Sequence, residues 1–154
     1  MKSIILTLVL MAGNALAIGY EQKNASFTIS SIAGNGSRVY YNCNSVEDKV
    51  EDVLLQLGAK NIRVRCSGGL DRWGMSTDAF VRASFTALSE DVDGNIIAAV
   101  SHEEIRKRSD CHLYSEIVEG VEDKFLMYSV PQVDRCYRAG DRTRIKLSVL
   151  KESL

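Results

Sequence analysis

Four cysteines set the strongest constraint on this chain. Cys43 and Cys66 stand 23 residues apart, and Cys111 and Cys136 stand 25 apart. Each interval reads the same way: a cysteine, a helical pattern, a strand pattern, a cysteine. That repetition predicts the pairs Cys43–Cys66 and Cys111–Cys136, each pinning a strand to the preceding helix. By the chain-entropy model, closing such a loop contributes about 3 kcal/mol, against a typical net stability of about 5–15 kcal/mol. No two cysteines lie within four residues of each other. A CxxC redox pair is therefore absent, and a zinc site would have to gather ligands from distant segments.

Disulfides need an oxidising compartment, and the N-terminus supplies a route to one. Met1-Lys2-Ser3 precedes an apolar run from Ile4 to Ala12, and Ala15-Leu16-Ala17 follows. A positive start, a short apolar stretch and an Ala-x-Ala end make a secretory signal, with cleavage expected after Ala17. The run is about half of the roughly 20 residues that span a bilayer, so no transmembrane anchor is expected after processing. Removing residues 1–17 takes away one Lys and no acid, which leaves a formal charge of -2. The localisation read from these features is exported, periplasmic or extracellular.

The domain organisation expected is a signal peptide at 1–17, a flexible leader at 18–36 rich in Ser, Gly, Asn and Gln, and one disulfide-stabilised domain at 37–154. Within it, 37–43 reads as a strand. Ser45 with Asp48 resembles a capping box, and Val46, Val50, Val53, Leu54 and Leu57 form one helical face. Gly58 is placed to end that helix in a left-handed conformation. Ile62, Val64 and Cys66 alternate with Arg63 and Arg65 as in a half-buried strand. Residues 80–88 alternate likewise, and Asp93-Gly94 predicts a hairpin to a strand at 96–100. A second helix is read over 109–124, with Gly120 weakening it. Residues 126–137 carry Pro131 and read as an edge or bulged strand; 142–150 reads as the last strand. The fold class expected is α+β: a two-layer sandwich of the βαββ(β)αβ kind, with two helices on one face of the sheet.

Catalytic patterns are scarce. His102 beside Glu103 and Glu104 is the one base-and-carboxylate grouping, and adjacent residues rarely aim side chains at one point. Asp91 to Asn95 resembles the start of a calcium loop, but its twelfth position is His102 instead of Glu, so it reads as a turn. Ser67-Gly68-Gly69 lacks a phosphate-loop pattern. No metal ligands and no cofactor motif are recognised.

One constellation has a binding rationale. If the apolar residues of the strands face the helices, the other face carries Arg63, Arg65, Arg82, Arg142, Arg144 and Lys146, joined by Tyr40. Guanidinium groups suit bidentate contact with carboxylate or phosphate. The expected function is an exported non-catalytic binding domain, whose partner is an anionic envelope polymer or another protein. Nucleic acid is not expected, because the charge is near neutral and aromatic residues on this face are few. The alternatives are an envelope hydrolase using His102 with Glu103 or Glu104, and a purely structural or inhibitor-like secreted protein.

Overall fold

The computed structural model describes residues 18–153, except 71, 72, 93 and 135. The signal segment at 1–17 and Asp93 of the expected turn lie outside the described residues. The elements run β1 (Gly19–Ile29), α1 (Cys43–Gln56), β2 (Lys60–Leu70), β3 (Ser76–Ser89), β4 (Ala98–Lys107), α2 (Cys111–Val121), a short 3-10 turn, β5 (Met127–Val133) and β6 (Thr143–Glu152). The fold is α+β. Its strands form two antiparallel three-stranded sheets, ordered β1-β3-β2 and β4-β6-β5.

That arrangement corrects three expectations at once. Residues 19–29 are no leader: they form β1, paired with β3 from Gly19↔Ser89 to Ile29↔Ala79. Ala25 and Ile29 are buried and Phe27 packs on the core, while Asn24, Ser26 and Thr28 face out. The second correction follows from the first. A strand has two edges, and β3 gives one to β1 and the other to β2. The hairpin expected between 80–88 and 96–100 therefore cannot form, and β4 pairs with β6 instead. The third is that the single sheet becomes two, with β6 at the centre of the second.

The segment expected as a first strand, 37–43, makes one isolated bridge, Ile32↔Arg38. Its end is committed to α1. The Asn42 side chain accepts the Asn44 N–H at 2.9 Å and caps the helix, three residues before the expected cap at Ser45. Tyr41 O accepts the Leu70 N–H at 2.7 Å. Gly69 sits beside that carbonyl, where a Cβ would come within 2.5 Å of it.

α1 buries Val46, Val50, Val53 and Leu54 as its spacing dictates, and Gly58 at φ 91° ends it. α2 continues through Gly120 to Val121. Gly120 is there because α2 lies directly on the Phe27 ring of β1; any Cβ would overlap it. α1 packs on β2, and α2 on β1 and β6. Ile105, Ile145, Leu147 and Val149 of the second sheet join Val81, Ala83 and Phe85 of the first and both helices in one core. The ends of the sheets are tied by Glu152, which accepts from Tyr20 Oη at 2.8 Å and Lys60 Nζ at 2.6 Å.

The disulfides pair as the spacing predicts, Cys43–Cys66 and Cys111–Cys136, with Cα–Cα distances of 5.3 and 5.7 Å. Pro131 lies in β5, an edge strand whose pairing with β6 shifts register on either side of Ser129.

Candidate anion-binding face

The face of the first sheet turned away from the helices is built by the alternation of three strands. The antiparallel register sets its side chains in rows. Asn24, Ser84 and Arg63 form one; Ser26, Arg82 and Arg65 the next; Thr28, Phe80 and Ser67 the third. Side chains directly opposite on neighbouring strands stand about 5 Å apart at Cβ, and those two residues apart on one strand about 6.6 Å apart. Arg65 and Arg82 are such an opposed pair, and Arg63 is diagonal to Arg82. These groups line a shallow groove of about 790 Å³.

Like charges directly opposite on a sheet repel, and carboxylates usually neutralise them. Here, among the described residues, no acidic side chain forms an ion pair with Arg63, Arg65 or Arg82. Glu47 of α1 is otherwise engaged: its Oε1 accepts the Cys66 backbone N–H at 2.7 Å. The Cys43–Cys66 bond fixes the adjacent residue of β2 to α1, so the arginine-bearing strand is anchored beneath its charged side chains.

The rest of the expected basic set is elsewhere. Arg144 and Lys146 lie on β6 in the second sheet, and Arg142 precedes that strand. The premise of one continuous positive surface therefore fails, because β6 pairs with β4 and β5 and not with β2 or β3. Glu104 also holds Arg144 at 2.6 Å and Arg106 at 2.9 Å, and Asp134 lies 3.7 Å from Arg144. The Arg106 and Arg144 guanidiniums keep the Glu104 carboxyl below its ordinary range. Tyr40 is exposed in the segment before α1, off the strand rows.

His102, Glu103 and Glu104 line one cavity of about 380 Å³ with Lys146 and Ser148, but the His102 and Glu103 side chains do not meet. Alternation along β4 sends them to opposite faces. Glu103 turns to Lys151 Nζ at 2.5 Å, Ser101 Oγ at 2.6 Å and Gln56 of α1. Burial raises the Glu103 pKa, but the bonds from Lys151 and Ser101 outweigh it and the net shift is downward. His102 Nδ1 is 2.8 Å from Ser148 Oγ. Glu104, on the His102 face, is held by the two arginines. His112 lies on α2, 3.4 Å from Glu116.

Sequence reasoning missed Asn24, Ser26, Ser84 and Phe80 as parts of the charged face. The signal was present for the first two: Asn24 to Ile29 alternates polar and apolar with period two. Phe80 is 55% exposed, and its outward position follows from sharing parity with Arg82.

No family model matches this chain, and neither a curated protein nor a solved structure matches it. Among the described residues, no helix is long and apolar enough to cross a membrane, and no three His, Cys, Asp or Glu side chains cluster as metal ligands would.

Proposed function

We propose that this chain is an exported, non-catalytic binding domain that takes an anionic partner on the outer face of its first sheet. One observation carries the reading: Arg65 stands opposite Arg82, with Arg63 diagonal to it, and no carboxylate of the described residues pairs with any of the three. Such a cluster costs electrostatic energy that a bound carboxylate or phosphate would relieve, through bidentate contacts that guanidinium is shaped to make. The leader pattern at 1–17 and the two disulfides support export, with cleavage after Ala17 and residence in an oxidising compartment. The open, shallow groove supports binding in preference to chemistry.

The test is retention of the oxidised protein on immobilised heparin across a salt gradient. Exposed charge contacts are screened within about 8 Å at physiological ionic strength, so elution should come at moderate salt. R65E/R82E should lose retention, while R144E on the second sheet should elute near the parent. Unchanged retention of R65E/R82E would overturn the reading. Intact-mass analysis of protein from its native host tests export; a product beginning at Ile18 is expected, and one retaining Lys2 would sink that part.

A further inference from the structure

The same face carries information about what kind of anion it suits, and the inference here rests on the binding reading above. We infer that the partner is a linear acidic polysaccharide, a chain of sugar rings bearing carboxylates.

Three properties of the groove point to it. The first is charge spacing. Arg63 and Arg65 follow one another along β2 at about 6.6 Å, and Arg82 faces Arg65 across the ladder, so the cations form a triangle that extends both along β2 and across to β3. A ligand with anions repeated along its length engages all three, whereas one small anion engages one or two. The second is the neutral polar lining. Every arginine row carries Ser or Asn as well: Asn24 and Ser84 beside Arg63, Ser26 beside Arg82 and Arg65. A hydroxyl donates one hydrogen bond and accepts others, and an amide does both. That inventory matches the hydroxyls of a sugar; a polyphosphate, which carries only acceptors, has no use for the acceptor half of it. The third is Phe80. Its ring stands in the row next to the arginine pair, 55% exposed, and lines the same groove. An exposed apolar ring beside cations offers a flat surface to the C–H face of a pyranose.

An acidic peptide fits less well. Extended peptides commonly bind by adding a strand to a sheet edge, and at the β2 edge, which carries two of the arginines, the Cys66 N–H is already donated to Glu47. A sugar chain needs no backbone pairing and can lie across the face.

The experiment titrates the disulfide-bonded protein, by calorimetry and by amide NMR, with four probes. These are a hexamer of galacturonic acid, its fully methyl-esterified counterpart, poly-glutamate and inorganic polyphosphate. The acid hexamer should bind and shift the amides of residues 24–26, 63–67 and 80–84. Esterification should weaken binding at least tenfold, F80A about tenfold, and R65E/R82E should abolish it. R144Q should leave the affinity unchanged. Binding of poly-glutamate or polyphosphate through Arg65 and Arg82 as tightly as the hexamer, or F80A without effect on the hexamer, overturns the sugar inference and leaves the anion reading standing. Binding of none of the four probes overturns the sugar inference, and the binding reading falls with it when heparin retention is also unchanged in R65E/R82E.

Discussion

Glu47 Oε1 accepts the backbone N–H of Cys66 at 2.7 Å, while Cys66 Sγ is bonded to Cys43. Residues 43 and 47 are one helical turn apart on the same side of α1, so the helix grips one residue of β2 twice, once covalently and once through a charge-assisted hydrogen bond. The two links share a geometry and should be coupled. C43A/C66A should cost about 3 kcal/mol. E47A should cost about 1–3 kcal/mol by orphaning the N–H. A double-mutant cycle by urea unfolding should give a coupling of at least about 0.5 kcal/mol. Strict additivity would mean that the links act independently.

Gly120 offers a test of the α2–β1 contact. In an exposed helix, Gly→Ala gains up to about 1 kcal/mol. Here the new Cβ overlaps the Phe27 ring, and overpacking costs about 1–3 kcal/mol. G120A should lower the melting temperature, and F27V should recover part of the loss in the double variant even though F27V destabilises alone. A G120A protein as stable as its parent would show that α2 can slide off β1 freely.

Glu116 should give the protein a pH signature. Its Oε2 accepts the Ser30 N–H at 2.6 Å. Burial lifts its pKa above the usual value of 4.5, and Glu119 and Asp78 push the same way, against the Ser30 bond and His112. A raised folded-state pKa means that the stability linked to the protonated carboxyl is fully present below about 4.5 and is lost as pH rises through the higher folded value. E116Q cannot ionise, and its amide oxygen can still accept from Ser30. Its melting temperature relative to the parent should therefore climb between pH 4 and pH 7. A difference that stays flat across that range would refute the burial argument.

Glu104 separates the two sheets as candidate surfaces. It holds Arg106 and Arg144, which oppose each other across β4 and β6. E104Q should free Arg106 and leave Arg144 only its 3.7 Å contact with Asp134, beside Arg142 and Arg108, and delay elution from immobilised heparin. No change in elution would mean that the second sheet contributes nothing even when unmasked.

Much of the local structure could be read directly because side-chain period and chain chemistry agree. α1 has its apolar residues at 46, 50, 53, 54 and 57 and Gly58 at its end, and both disulfides follow from one repeated order. What escaped was long-range. β1 has only Ala25, Phe27 and Ile29 to mark its buried side, and its Ser, Asn and Gln residues look like a leader because they form the solvated side of an edge strand. Missing it left β3 with a vacant edge, which the nearby β4 was expected to fill; nothing local in 96–107 says that its partner is β6. Asn42 and Ser45 are both capping residue types, so the local sequence alone does not choose between them; the structure uses Asn42. The candidate site divided along the same line. Arg63, Arg65 and Arg82 belong together because β2 and β3 are consecutive and paired, while Arg144 and Lys146 would join them only through a β6 pairing that does not exist.

The place of β6 bears on how the molecule can be made. Both β4 and β5 hydrogen-bond to it and not to each other, and it is the last strand in chain order. The strands β1, β2 and β3 can therefore pair with one another before β6 is in place, while the strands at 98–107 and 127–133 wait as unpaired ribbons. Their unpaired ladder groups are open to wrong pairing through that interval, until β6 takes its place between them.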